Sequence, residues 1–300
     1  MSVKNQETEF LPNKQFNLPQ DEWFVSSGHL ACAGCGLMPI LKLAQQILGR
    51  NMVITAPACC FSVIDGPYPF SAAGVNVIHC AFETAAATAS GVKAGLDVLG
   101  TKAHVMALAG DGGTFDIGFQ ALSAAAERNE NVMYLCYDNE AYMNTGIQRS
   151  SSTPHGAWTT TTPHAPGKLQ WKKDLGAIMA AHKIPYFATA TVAYPDDLAE
   201  KIRKARDTKG FRMIHAFAPC PTGWKAESRY MVKLSRLAVE TKVFPLYEVI
   251  NGEQWSISME PPIQPLQTYL GLQGRFKHLT KETIDAIQAD IDHRWQALQK

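Results

Sequence analysis

The feature that most constrains the fold is an alternation between short apolar runs and stretches with helical periodicity. The apolar runs are Asn51–Ala58, His104–Ala109, Asn131–Tyr137, Tyr186–Val192 and Arg212–Ala218. Nearly continuous apolar runs of this length are typical of strands buried on both faces, as in parallel sheets. The helical stretches are Pro39–Leu48, Ala81–Val98, Phe115–Arg128 and Pro195–Thr208. Strands that alternate with helices predict an α/β domain with a doubly wound, mostly parallel sheet.

Three regions follow from this pattern. Residues 1–27 are polar at their start and predict an extended N-terminal arm, and residues 28–252 hold the alternating elements. After about Glu253 we expect no further strand, so residues 253–300 predict a helical C-terminal extension. In that extension Thr280 caps an amphipathic helix with an apolar stripe at Ile284, Ile287, Ile291, Trp295 and Leu298. The long segment Asn144–Trp171 has no period, and such loops inside a compact domain are usually functional.

Composition narrows the class of protein. Hydrophobic residues make up 46% and charged residues 18%, and the net charge is +1, which gives no electrostatic case for nucleic acid or an anionic membrane as a partner. No apolar run approaches the roughly 20 residues that span a bilayer. The polar start does not look like a secretory signal, so we expect a cytoplasmic protein. In that reducing compartment the seven cysteines indicate metal or redox chemistry rather than disulfides.

The segment Gly110-Asp111-Gly112-Gly113 comes directly after an apolar strand and before a helix. Glycines permit a sharp turn and a close approach of backbone N–H groups to a ligand. The start of the following helix favours an anion such as a diphosphate. Asp111 is then placed as a hard oxygen ligand for Mg²⁺. By itself this signal is weak, because Asp-Gly is a common turn dipeptide.

A second element strengthens the signal. Asn139 follows the next predicted strand and lies 28 residues after Asp111, the length of one helix plus one strand. The two strand ends should therefore lie side by side. An Asn side-chain oxygen, a nearby backbone carbonyl and an Asp carboxylate form a reasonable Mg²⁺ shell, completed by diphosphate oxygens.

Four cysteines also converge on this edge of the predicted sheet. Cys32 and Cys35 form a CxxC pair, which alone fits a redox dithiol, half a zinc site or part of an iron–sulfur site. Cys60 follows one predicted strand and Cys220 follows another. Four thiolates beside a redox-capable cofactor favour a 4Fe–4S cluster, with structural zinc as the alternative.

The other three cysteines have a different interpretation. Cys136 lies within a predicted strand and Cys80 precedes an Ala-rich helix, so both are expected to be small buried hydrophobic residues. Cys59 is adjacent to Cys60, and their roles could be exchanged as far as these patterns show.

Four motifs together resemble the β subunit of pyruvate:ferredoxin oxidoreductases and the wider 2-oxoacid:ferredoxin oxidoreductase family. The motifs are GHLACAGCG (28–36), GDGGTFDIG (110–118), CYDNEAYMNTGIQRS (136–150) and APCPTGW (218–224). The likeness runs from about Gly28 to the segment Gly274–Leu279. It implies that residues 28–252 form a thiamine-diphosphate-binding domain with a 4Fe–4S site.

The resemblance also implies individual roles. It assigns Mg²⁺ to the side chains of Asp111 and Asn139 and to the backbone carbonyl of Ala141. It assigns the cluster to Cys32, Cys35, Cys60 and Cys220, which favours Cys60 over Cys59. Asn144 would contact the 2-oxoacid as a catalytic residue. The residues expected around the cofactor are Gly110, Asp111, Gly112, Gly113, Asn139, Ala141, Tyr142, Met143, Asn144, Thr145 and Cys60.

The implied reaction is the CoA-dependent oxidative decarboxylation of a 2-oxoacid to acyl-CoA and CO₂, with electrons passed to ferredoxin. Pyruvate is the default substrate, and a branched-chain or aromatic 2-oxoacid is the alternative. The implied partners are an α subunit that supplies the Glu activating the cofactor, a γ subunit, a ferredoxin-like δ subunit and ferredoxin. Two other interpretations are a cluster-free thiamine-dependent decarboxylase or dehydrogenase and a non-catalytic subunit with a degenerate site.

Overall fold

The computed structural model describes residues 25–299, so most of the predicted N-terminal arm lies outside the described residues. The described chain contains one eight-stranded sheet. Its strands are β1 (Met52–Pro57), β2 (Asn76–Cys80), β3 (His104–Gly110), β4 (Met133–Asp138), β5 (Tyr186–Thr191), β6 (Arg212–Phe217), β7 (Tyr247–Ile250) and β8 (Gln254–Ile257). They lie in the order β2-β1-β3-β4-β6-β5-β7-β8, and every pair from β2 to β5 is parallel. The predicted doubly wound, mostly parallel α/β fold is confirmed.

Helices cover both faces of the sheet. They are α1 (Leu37–Leu48), α2 (Cys60–Ile64), α3 (Ala85–Val98), α4 (Phe119–Glu127), α5 (Leu175–Ala181), α6 (Pro195–Asp207), α7 (Pro221–Trp224), α8 (Met231–Glu240), α9 (Leu266–Leu270) and α10 (Lys281–Leu298). Apolar side chains of α1 and α6 pack on one face, and those of α3, α4 and α5 pack on the other. The inner strands β1, β3, β4, β5 and β6 are buried on both faces, which is why each forms a continuous apolar run in the sequence.

Two strand regions differ from the sequence prediction. The edge strand β2 was missed because its side chains are exposed or half-buried, so it lacks an apolar run. The expectation that no strand follows Glu253 is wrong, because β7 and β8 form an antiparallel hairpin at the other edge. Asn251 and Gly252 form its turn, with φ of 54° and 71°. The boundary placed at residue 252 therefore falls within this turn, and the helical extension begins after β8.

The C-terminal helices complete a third apolar cluster with α8 and the long loop. Thr280 caps α10 as predicted, since its hydroxyl accepts the Thr283 N–H at 3.3 Å. Ile291 and Trp295 of α10 are buried. Ala157, from the predicted functional loop, belongs to the same cluster. This loop is therefore packed between the sheet and the C-terminal helices. Among residues 25–299, no helix combines the length and apolar character needed to cross a membrane.

Candidate active site

Four neighbouring strands end at one edge of the sheet and bring four predicted site residues together. Strands β1, β3, β4 and β6 are adjacent and parallel, so their carboxyl ends align. Cys60 follows β1, Asp111 follows β3, Asn139 follows β4 and Cys220 follows β6. Ligand sites of open α/β sheets lie at this edge.

The glycines of the GDGG segment serve close packing rather than a left-handed turn. After Asp111 the chain forms a short π-helical turn, Gly112–Asp116. None of Gly110, Gly112 and Gly113 has a positive φ, so the turn after β3 does not use the left-handed backbone region that favours glycine. A Cβ on Gly112 would instead lie 2.5 Å from the ring of Tyr142. A larger residue there would displace that ring, which forms part of the cavity wall.

Three oxygens converge at the ends of β3 and β4. One end of the Asn139 amide lies 2.9 Å from both the Ala141 carbonyl oxygen and Asp111 Oδ1. As the amide is oriented, that end is Oδ1, and no amide proton lies between it and the other two oxygens. Turned by 180°, the amide would donate Nδ2–H to both partners instead. Adjacent ligands of an octahedral Mg²⁺ with bonds of about 2.1 Å stand about 3.0 Å apart, so both 2.9 Å separations from the Asn139 oxygen fit that ion.

The charge around Asp111 also fits a cation. Asp111 is 1% exposed. Burial, and then the nearby charge of Asp138, raises the pKa of the Asp111 carboxyl well above its usual value. Lys172 pairs with Asp138 and Glu140, and Arg275 pairs with Glu140, whereas none of the ion pairs seen among residues 25–299 involves Asp111. A bound divalent cation would offset the charge and the desolvation of Asp111.

A buried ion network flanks Asn139 on both sides, and the sequence did not reveal it. Asp138 accepts hydrogen bonds from Lys172 Nζ at 2.6 Å and from His215 Nε2 at 2.7 Å. Burial opposes ionisation of Asp138, but the Lys172 charge and the His215 hydrogen bond hold its pKa below the usual value. Glu140 pairs with Lys172 at 3.0 Å and with Arg275 at 2.6 Å. The carboxylates of Asp138 and Glu140, on either side of Asn139, are therefore held by cations that are far away in the sequence but in direct contact in the fold.

All the residues expected around the cofactor line one cavity of about 270 Å³. Asp111 and Asn139, at the ends of β3 and β4, are buried in this cavity, whereas Asn144 and Thr145 are exposed. Ala58, Val63 and Phe82 add apolar wall. The geometry thus groups all the predicted cofactor residues around one cavity.

The four predicted cluster cysteines line an adjoining cavity of about 130 Å³. This thiol cavity shares six lining residues with the first cavity: Cys60, Val63, Tyr137, Asn139, Met143 and Asn144. Asn139 links the two directly, since its Nδ2–H donates to Cys60 Sγ at 3.8 Å in the present amide orientation. A group held by the thiols would therefore be a direct neighbour of a group held by Asp111.

Two glycines allow the CxxC loop to approach the Cys220 segment. The Gly36 N–H donates to the Pro219 carbonyl at 3.1 Å. A Cβ on Gly36 would lie 2.8 Å from backbone atoms of Ala218 and Pro219. Gly34 has a φ of 74°, and a Cβ there would lie 2.4 Å from the Ser228 carbonyl oxygen. The close backbone contacts thus explain why glycine occupies positions 34 and 36 of the CxxC loop.

All seven cysteines are free thiols. Burial is the main cause that raises the pKa of Cys35, of Cys60 and of Cys220, the last to about 11, and neighbouring thiols add to each shift. Iron or another soft metal would have to displace these protons on binding.

The remaining cysteines separate from this group. Cys59 lines the cofactor cavity but not the thiol cavity, and its thiol hydrogen-bonds Tyr137. Cys136 is buried in β4, as expected, whereas Cys80 ends the edge strand β2 and is only half-buried.

The four thiols are not arranged to bind a single metal ion. Across residues 25–299, no group of three or more His, Cys, Asp or Glu side chains is arranged to hold a metal ion. A 4Fe–4S cluster is larger than one ion, and its thiolate ligands stand farther apart.

A larger cavity, of about 780 Å³, lies away from the predicted residues. It is bounded by α5, the β7–β8 hairpin and the end of α10, and it reaches Lys172 and His215. Size alone would favour this cavity as the active site. The converging oxygens, the raised pKa of Asp111 and the four thiols all belong to the smaller pair of cavities, which we take as the candidate active site.

Comparison with known proteins gives consistent relatives. Residues 61–216 match the family described as thiamine pyrophosphate enzyme, C-terminal TPP binding domain. Ketoisovalerate oxidoreductase subunit VorB of Pyrococcus horikoshii is 47% identical over 299 residues, covering 96% of both chains. Pyruvate synthase subunit PorB of Methanothermobacter marburgensis is 49% identical over 286 residues, covering 94% of this chain and 99% of the relative.

A solved structure shares the fold. The 2-oxoglutarate:ferredoxin oxidoreductase from Magnetococcus marinus, with 2-oxoglutarate, coenzyme A and succinyl-CoA bound, aligns with a TM-score of 0.60 at 22% identity. The alignment covers 91% of this chain and 97% of that chain.

Proposed function

The chain belongs to the thiamine-diphosphate-binding β subunits of the 2-oxoacid:ferredoxin oxidoreductases, and we propose that it holds Mg²⁺–thiamine diphosphate and one 4Fe–4S cluster side by side. Its complex would carry out CoA-dependent oxidative decarboxylation of a 2-oxoacid and pass the electrons to ferredoxin. The observation that carries the proposal is the pair of adjoining cavities, which share six lining residues, Cys60 and Asn139 among them.

The cofactor would be held chiefly by the ends of β3 and β4. Asp111, Asn139 and the Ala141 carbonyl would supply three oxygens for Mg²⁺, and Gly112 and Gly113 line the same cavity, where their backbone would lie beside the diphosphate. When bound, thiamine diphosphate supplies the electron sink that lets CO₂ leave. Asn144 would orient the 2-oxoacid, a role that its position in the lining of both cavities supports.

The cluster would be held by Cys32, Cys35, Cys60 and Cys220. Their shared cavity supports this assignment, and the position of Cys59 outside it supports Cys60 as the ligand. The contact between Asn139 and Cys60 makes the path from cofactor to cluster short. This placement favours an oxidoreductase over a cluster-free thiamine decarboxylase.

The 2-oxoacid itself is left between two candidates. We propose pyruvate as the default, and a branched-chain 2-oxoacid as the second candidate. The PorB and VorB relatives support one each, at 49% and 47% identity. Such similar identities do not rank the two substrates.

The relatives are named as subunits, so the chain functions with other subunits. We propose an α subunit that supplies the activating Glu, a γ subunit, a ferredoxin-like δ subunit, CoA as co-substrate and a cytoplasmic location. Two exposed apolar side chains support a covering partner: Val63 lines both cavities, and Leu30 lies next to Ile64 of the thiol cavity, whose carbonyl accepts the Leu30 N–H at 3.3 Å. Exposed Asn144 at the cavity rim would then be enclosed.

The test is an assay of the assembled complex against a panel of 2-oxoacids, with CoA-dependent viologen reduction as the readout. We expect turnover of pyruvate or a branched-chain 2-oxoacid, and its loss together with thiamine diphosphate binding in Asp111→Ala. Asp97→Ala, which removes an exposed carboxylate on α3, is the control and should keep both. Full activity of Asp111→Ala, or a complex without iron–sulfur absorbance, would contradict the proposal.

A further inference from the structure

Three consecutive serines of the long loop each donate a hydrogen bond to a different aspartate of the candidate site. The pairs are Ser150 with Asp111, Ser151 with Asp116, and Ser152 with Asp138. These aspartates lie after β3, in the π-helical turn and at the end of β4. The serine triplet therefore ties together every backbone segment that carries the three converging oxygens.

The Ser150 bond has a defined direction. An ionised carboxylate can only accept, so the Ser150 hydroxyl donates to Asp111 Oδ2 at 2.5 Å, while Ser150 Oγ itself accepts the Ser152 N–H at 3.2 Å. The other carboxylate oxygen, Oδ1, lies 2.9 Å from the Asn139 amide. The two oxygens of Asp111 thus have separate partners.

We propose that Ser150 is a positioning residue that restricts Asp111 to a single metal-binding oxygen and thereby sets the preference of the site for Mg²⁺ over Ca²⁺. This inference rests on the proposed Mg²⁺–thiamine diphosphate site. Mg²⁺ requires near-octahedral geometry with bonds of about 2.0–2.1 Å, whereas Ca²⁺ accepts roughly 6–8 oxygens at about 2.3–2.6 Å, often with bidentate carboxylates. A hydrogen bond that occupies Oδ2 disfavours the bidentate mode and so penalises the larger ion.

The surroundings hold Ser150 firmly. Its N–H donates to Thr153 Oγ1 at 2.9 Å, and that hydroxyl donates to the Glu140 carbonyl at 2.6 Å. Lys168, which is fully buried, donates from Nζ to the carbonyls of Ser151 and Thr153 at 3.2 and 2.5 Å. The loop is therefore fixed independently of any metal, and the Ser150 hydroxyl is aimed before the ion binds.

The test measures thiamine diphosphate binding to the assembled complex by calorimetry, once with Mg²⁺ and once with Ca²⁺. Outer-shell hydrogen-bond partners typically contribute about 10- to 100-fold to metal affinity. Ser150→Ala should lower Mg²⁺-supported affinity by about that factor and Ca²⁺-supported affinity by much less. The Mg²⁺/Ca²⁺ affinity ratio should fall about tenfold or more.

Ser151→Ala is the matched control, because it removes a hydroxyl from the same loop whose partner, Asp116, is not among the converging oxygens. It should leave the ratio unchanged. Ser150→Cys keeps a similar size with a weaker donor, so it should assemble and give an intermediate ratio.

A Mg²⁺/Ca²⁺ affinity ratio that stays unchanged in Ser150→Ala and Ser150→Cys would overturn the proposal, whether the two affinities fall equally or not at all. A merely structural role would lower both affinities together. Failure of the unsubstituted complex to bind thiamine diphosphate with either cation would overturn the proposed function itself, a result that is distinguishable from an unchanged ratio.

Discussion

Replacing Gly36 by alanine should separate the CxxC loop from the Cys220 segment and weaken cluster binding. The added Cβ would lie 2.8 Å from Ala218 and Pro219 backbone atoms, where ordinary contact begins at 3.4 Å. Backbone atoms cannot rotate away as a flexible side chain can. The two segments must therefore move apart by about 0.6 Å, and the Gly36 N–H···Pro219 hydrogen bond must lengthen.

The magnitude follows from the cost of such an insertion. Overpacking a close contact by one methyl group costs about 1–3 kcal/mol. If that cost falls on the cluster-holding geometry, the affinity for the cluster falls by about 5- to 150-fold. Cys32 and Cys35 would be displaced from Cys60 and Cys220 as a pair, so loss of the cluster should be cooperative.

The assay is iron and acid-labile sulfide content of the complex, with the rate of cluster loss to a chelator under anaerobic conditions. Gly91→Ala is the control, because a Cβ on this helical glycine meets no atom within 4 Å in the described chain. That control should retain its cluster and gain up to about 1 kcal/mol of helix stability. Unaltered chelator resistance in Gly36→Ala would refute the assigned role of this close contact.

Three further predictions concern the buried charges and the adjacent cysteines. Because the pKa of Asp111 is raised by burial and Asp138, its contribution to stability without a cation is present at low pH and is lost as pH rises through the raised pKa. The increase in thermal midpoint caused by Mg²⁺–thiamine diphosphate should therefore grow with pH and then level off, and a pH-independent increase would contradict this. Glu140→Gln leaves Arg275, which is 2% exposed, without its carboxylate and should cost about 3–5 kcal/mol. The thermal midpoint should fall far less for Glu253→Gln, whose exposed pair with Lys183 contributes roughly 0–1 kcal/mol, and similar losses would count against the network. Cys60→Ser should lose the cluster as judged by iron content, whereas Cys59→Ser should keep it, and the reverse result would exchange their roles.

The predictable part of the site lies where the chain itself sets the geometry. Asp111 and Asn139 follow strands that are adjacent and parallel, so their spacing along the chain indicated that they meet. Cys60 and Cys220 follow the flanking strands at the same edge. These placements could be predicted because the carboxyl ends of parallel strands lie at the same edge of a sheet, whatever contacts the side chains make.

The ion network and the serine triplet could not be read from the sequence. Glu140 meets Lys172 across 32 residues and Arg275 across 135 residues, and neither pairing has a local signal. Ser150 to Ser152 lie in a loop without periodicity, and their partners depend on how that loop packs. The edge strand β2 escaped prediction for a different reason, since its exposed side chains produce no apolar run.

The measurement closest to the central assignment is a single turnover of the anaerobic complex mixed with a 2-oxoacid, without any external electron acceptor. If the cofactor and cluster occupy the adjoining cavities of this chain, the iron–sulfur absorbance should bleach as the 2-oxoacid is consumed. Asp111→Ala should retain the absorbance but show no bleaching. Bleaching of the same extent in Asp111→Ala, or turnover of the 2-oxoacid with no change in iron–sulfur absorbance, would contradict the assignment.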